Sequence, residues 1–117
     1  KRKKIAEIYT EYFKDKDFIS PKLRKESTHV FHLYVIRLNK RDELLNFLKE
    51  KGIFAGIHYP LPIHKQPAYE KRLKTSQSMK VTEEVSKEVL SLPIYPELSA
   101  NNINYILDMI SLFLSKK

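Results

Sequence analysis

The sequence predicts a small α+β domain, with a short, mainly antiparallel sheet of about three strands and helices packed mostly on one face of it. Segments with apolar residues at helical spacing alternate along the chain with short runs rich in β-branched and aromatic residues. Prolines bound two of those runs, which suits short strands near sheet edges. The 117 residues are 42% hydrophobic and 31% charged, a globular rather than a disordered balance, and they suffice for one domain with a modest core.

Ile5, Ile8, Tyr9, Tyr12 and Phe13 recur at helical spacing, so the chain opens with an amphipathic helix whose stripe needs a partner surface. No Ser, Thr, Asp or Asn stands ahead of it as a cap, which reads as a helix entered mid-stride and a chain taken from a longer protein. Residues 14–28, with Pro21 and mixed charges, are expected to be a loop. His29 to Leu38 is apolar on both alternating faces and is expected to be a central strand. Asn39 is placed to cap the next helix, with Asp42 favouring its first turn. Leu44, Leu45, Phe47 and Leu48 form its buried side, and Gly52 sits where a left-handed residue ends it.

Ile53 to Tyr59 reads as a second strand, interrupted by Gly56 and stopped by Pro60 and Pro62. Residues 71–80, basic and polar, are expected to form a mobile surface loop. Thr82 with Glu83 and Glu84 marks a helix start, with Val85 and Val89 facing inward, and Leu92 to Pro96 reads as a short edge strand. Ser99 caps the last helix, whose stripe is Ile103, Ile106, Leu107, Ile110, Phe113 and Leu114.

Several function classes are excluded by composition. There is no cysteine, hence no disulfide, thiolate metal site or cysteine nucleophile, and the default location is cytoplasmic. Gly52 and Gly56 are the only glycines, too few for a phosphate-cradling loop or a dinucleotide fingerprint. The four histidines, at 29, 32, 58 and 64, have no metal-ligand spacing, and no metal site is expected. No apolar run approaches the roughly 20 residues of a membrane span, so no membrane partner is expected. The net charge of +8 favours an anionic partner, but the lysines are scattered. A basic nucleic-acid-binding module is the alternative from another class. It would need a helix pair or aromatics interleaved with the basic residues, and nucleic acid is not expected as a partner.

The stretch richest in binding side chains is Gly56-Ile57-His58-Tyr59-Pro60-Leu61-Pro62-Ile63-His64-Lys65-Gln66-Pro67-Ala68-Tyr69. Proline-stiffened backbone after a strand would hold His58 and Tyr59 in a fixed direction, suited to an anionic or hydroxylated ligand. The competing reading is that both satisfy local backbone groups.

This stretch, with Gly52-Ile53-Phe54-Ala55 before it, resembles the motif of the DegT/DnrJ/StrS family of sugar-nucleotide aminotransferases. The flanks His32 to Arg37, Arg41 to Leu44 and Leu90 to Leu98 resemble the same family in order and spacing, so the likeness covers essentially the whole chain. It implies the small C-terminal domain of a fold-type I pyridoxal-phosphate enzyme, with residues 1–18 as the helix linking it to a large domain. The implied parent moves an amino group, usually from glutamate, onto a nucleotide-linked keto-sugar for surface polysaccharide or amino-sugar synthesis, and acts as a homodimer. A sugar dehydratase of the same family is the nearest alternative. The resemblance implies that the cofactor lysine lies outside this chain, so no catalytic residue and no covalently bound pyridoxal phosphate are expected here, and the chain alone should be inactive. It places His58 and Tyr59 near the phosphates or sugar of the substrate. His64 and Arg37 match recurring family positions, with structural roles equally open; Arg37 could pair across the sheet or hold an amino donor's carboxylate. Residues 71–80 depart from the family pattern.

Overall fold

The computed structural model describes residues 1–69, 72–75 and 78–116. Its elements run α1 (Arg2–Phe13), β1 (Tyr34–Arg37), α2 (Arg41–Glu50), a 3-10 turn (Ile63–Lys65), α3 (Lys80–Glu88), β2 (Val89–Leu92) and α4 (Ala100–Ser115). The α+β expectation is met, but the sheet has two strands rather than three among the described residues. β1 and β2 are antiparallel, pairing Tyr34 with Leu92 and Arg37 with Val89. Single bridges widen the sheet on both sides, Ile19 to Arg37 beyond β1 and Gly56 to Ser91 beyond β2.

Because strand side chains alternate, the register puts Tyr34, Ile36, Leu90 and Leu92 on one face and Val35, Arg37, Val89 and Ser91 on the other. The first set joins one apolar core with Tyr9 and Phe13 of α1, Leu44 and Leu48 of α2, and Ile106 and Ile110 of α4. The core's buried hydroxyls are paired: Tyr9 donates to the Pro93 carbonyl at 2.8 Å, and Tyr34 shares a 2.9 Å bond with Thr10. On α1, Ala6 takes the inward place expected of Ile8, which is exposed.

Five expected boundaries move, those of the strands for local reasons. The strand expected at 29–38 begins only at Tyr34, because Phe31 sits at φ 49 and donates its N–H to Nδ1 of His29 at 2.8 Å instead of to a ladder. The strand expected at 53–59 reduces to the Gly56 bridge, whose two bonds to Ser91 are 2.9 and 2.7 Å, before the chain turns away at the prolines. The edge strand expected at 92–96 lies instead at 89–92: Pro93, with no N–H, ends it, and Glu88 passes from helix into strand with no intervening loop. Asn39 does not cap α2, whose N-cap is Lys40 without a side-chain bond, and α3 starts at Lys80, ahead of Thr82.

Ser99 does cap α4, accepting from the Asn102 N–H at 3.2 Å, and Gly52 is left-handed at φ 74 just past α2. Of the loop expected at 71–80, residues 71, 76 and 77 lie outside the described residues and Lys80 belongs to α3. No described helix is long and apolar enough to cross a membrane.

Candidate functional site

The face of the sheet opposite the core is where the sequence-predicted residues gather. Gly56, held on β2 by its paired bonds to Ser91, sets the start of the segment that carries His58 and Tyr59. The Nδ1 of His58 lies 3.0 Å from the Ser91 hydroxyl, and a cis peptide bond joins His58 to Tyr59. Ser91 is 4% exposed, whereas Tyr59 is 83% exposed, so an anchored histidine stands beside an outward phenol. Their rings are nearly perpendicular, with centroids 6.4 Å apart.

The two side chains open onto a groove of about 620 Å³ between the proline-rich turn and α3, lined also by Ile63, Gln66, Val81, Val85 and Val89. Its walls are largely apolar, with a few polar groups among them, the usual make-up of a small-molecule site.

His64 does not face the groove as a free ligand group. Its Nε2 lies 3.0 Å from Oε1 of Glu83, and the Lys65 ammonium lies 2.7 Å from Oε2 of the same carboxylate. The Lys65 bond first, then the His64 bond, hold the Glu83 carboxyl below its ordinary range. This cluster fastens the 3-10 turn onto α3 and so shapes one wall of the groove. Arg37 is also engaged: its Nε and Nη2 both donate to Oε2 of Glu88, at 3.0 and 2.7 Å. That ion pair joins β1 to the last residue of α3.

Ser91, Glu83 and Glu88 were not singled out as site residues from sequence. For Ser91 there was a signal, a lone hydroxyl between Leu90 and Leu92 in a strand. For the two glutamates there was none, because acidic residues on a helix ordinarily mark a solvated face.

Pyridoxal phosphate needs a sheltered lysine for its Schiff base and a carboxylate at its pyridine nitrogen, and the described residues do not supply them. Every described lysine is exposed except Lys16, whose ammonium donates to the Tyr12 carbonyl at 2.6 Å and lies over the Tyr12 ring. All the aspartates are exposed. Among the described residues no group of three or more His, Asp or Glu side chains could hold a metal ion.

The model of the DegT/DnrJ/EryC1/StrS aminotransferase family matches residues 1–111. A pleiotropic regulatory protein of Geobacillus stearothermophilus is 39% identical over 96% of this chain and 31% of its own length. The dTDP-3-amino-3,6-dideoxy-alpha-D-galactopyranose transaminase of Aneurinibacillus thermoaerophilus is 33% identical over 95% of this chain and 30% of its own. In structure, a DegT DnrJ EryC1 StrS aminotransferase from Brucella abortus superposes with a TM-score of 0.88 at 32% identity, covering 96% of this chain and 30% of that one. The chain thus spans about a third of the length of these relatives. With the family model matched over nearly its whole length and the fold shared with a solved member, the chain belongs to the DegT/DnrJ/EryC1/StrS aminotransferase family.

Proposed function

We propose that this chain is the C-terminal substrate-binding and dimer-contact domain of an aminotransferase acting on nucleotide-linked keto-sugars, with glutamate as amino donor. The observation that carries the reading is the pairing of an anchored His58 with an outward Tyr59 in the lining of a largely apolar groove. An imidazole N–H held in place by Ser91, with an exposed phenol beside it, suits the diphosphate and sugar hydroxyls of such a substrate, because a fixed donor spends little entropy on binding. The relatives named for an activity are transaminases of nucleotide sugars, which supports amino transfer over dehydration.

Pyridoxal phosphate would supply electron withdrawal from the amino-bearing carbon in such an enzyme, and the family resemblance implies that its lysine lies outside this chain. The role of this chain is to bind and orient: His58 and Tyr59 hold the nucleotide sugar, while Glu83, through His64 and Lys65, keeps the turn in place. Arg37 acts structurally through Glu88.

The test uses the full-length protein. Replacing His58 with Ala should weaken binding of the nucleotide sugar about 10- to 100-fold, as expected for a lost hydrogen bond to a charged group, and Tyr59→Phe about five-fold. Both variants should keep the cofactor's visible absorption and its response to glutamate. Unchanged binding in both would overturn the site, and an absorption band indifferent to glutamate would overturn amino transfer.

A further inference from the structure

We infer that Ser91 and Gly56 act as a positioning pair that sets the ring orientation and tautomer of His58 for the nucleoside diphosphate; the inference rests on the binding role proposed above for His58. Two independent features of the fold converge on that ring. The Ser91 hydroxyl, on a 4% exposed residue of β2, lies 3.0 Å from Nδ1. The ring also lies against Gly56, where a Cβ would come within 2.8 Å of Cε1, 3.5 Å of Nδ1 and 3.6 Å of Nε2. Gly56 has no positive φ to require glycine, so the space taken by the imidazole is what a side chain there would contest.

The chemical consequence follows from the inventory of an imidazole. In the neutral ring one nitrogen donates and the other accepts. A Ser91 hydroxyl donating to Nδ1 leaves the proton on Nε2, for which no hydrogen-bond partner is found among the described residues. His58 then offers its Nε2–H to a phosphate oxygen without having to gain a proton. Should the ring become protonated, the same hydroxyl turns and accepts from Nδ1–H, so Nε2–H is presented in both states. The serine holds the direction of the donor, and the glycine makes room for it.

The two residues also face each other across the bridge between Gly56 and β2, with backbone bonds of 2.9 and 2.7 Å. The support of the ring is therefore built from adjacent, rigidly paired backbone, and a small change at either position should act on the same bond.

The experiment uses full-length protein labelled with ¹⁵N-histidine, and dTDP and UDP as probes in calorimetric titrations. In the unaltered protein the His58 nitrogen shifts should report the Nε2–H form. Ser91→Ala should give mixed tautomers and weaken diphosphate binding about five-fold, the loss of one ordinary hydrogen bond. Gly56→Ala keeps the hydroxyl but pushes the ring off it, with a similar loss. The double variant should bind no worse than either single one, because both act through one contact. Unperturbed His58 shifts and unchanged affinity in both single variants, or losses that simply add, would overturn the inference. His58→Ala in the same titrations separates the two readings. If it weakens binding while Ser91→Ala and Gly56→Ala do not, only the positioning pair falls; if it leaves binding intact, the binding role of His58 falls and the pair with it.

Discussion

The two faces of one small sheet do different things. Tyr34, Ile36, Leu90 and Leu92 are buried in a core shared with α1, α2 and α4. Across the same backbone, Val35, Arg37 and Val89 are only half-buried, and the contacts made there are directional: His58 to Ser91, Arg37 to Glu88, His64 and Lys65 to Glu83. Apolar burial is non-directional and proportional to area, so the first face supplies stability. Hydrogen bonds and ion pairs at a half-open surface add little net free energy but fix directions, so the second face supplies geometry. The strands let the second surface be shaped without disturbing what holds the domain together.

The largest effect should come from the core face. Leu48→Ala removes a fully buried side chain of α2 and should cost about 2–5 kcal/mol in a denaturant titration, while the protein that remains folded binds diphosphate with unchanged affinity. A loss of affinity before any loss of folding would break the division between the faces.

Next comes Tyr9. Burial first, and then the neighbouring Tyr34 phenol, push its phenol well above the ordinary value of 10.0. The folded state therefore keeps this proton at pH values where the unfolded chain has lost it. Stability is full below about pH 10 and falls above it, by about 1.4 kcal/mol per pH unit for this one group. Tyr9→Phe should lose about 1 kcal/mol at neutral pH, from the bond to Pro93, and show a shallower alkaline fall in denaturation series between pH 8 and about 11. Equal alkaline slopes in the two proteins would remove Tyr9 from the account.

The smallest effect on stability belongs to the open face. The Glu83 carboxyl, held low by Lys65 and His64, keeps its contribution above its ordinary value of 4.5, and loses it as pH falls from there through the depressed folded value. Glu83→Gln at neutral pH, or acid in the unaltered protein, should speed amide exchange of Lys65 and Gln66, whose N–H groups bond within the turn, and leave the denaturation midpoint where it was. A midpoint shift as large as that of Leu48→Ala would show that this face bears stability too.

How much of this was readable in advance differs between elements for physical reasons. The helical stripes of α1, α2 and α4 were legible, as were the Ser99 cap and the left-handed Gly52, because each depends on residues within one or two turns. The strands were legible as apolar runs but not in extent. Phe31 leaves the strand through a bond to the His29 side chain, and β2 starts where α3 stops. Such endings depend on which partner a backbone group finds. In the site, His58 and Tyr59 stood out as types in a proline-rich setting, whereas the partners that orient or occupy the predicted residues did not.

The sequence alone determined the α+β class, the helices and their buried stripes, the unsuitability for phosphate-loop or thiolate chemistry, and the stretch proposed to meet a ligand, because periodicity, caps and residue types are local properties. Only the tertiary structure decided that Ser91 lies beneath His58, that Glu83 ties down the turn, and that Arg37 is engaged by Glu88. These pairs join residues 33, 18 or 19, and 51 positions apart, and they exist only once the fold has brought those segments together, the register of β1 on β2 putting Arg37 and Ser91 on one face.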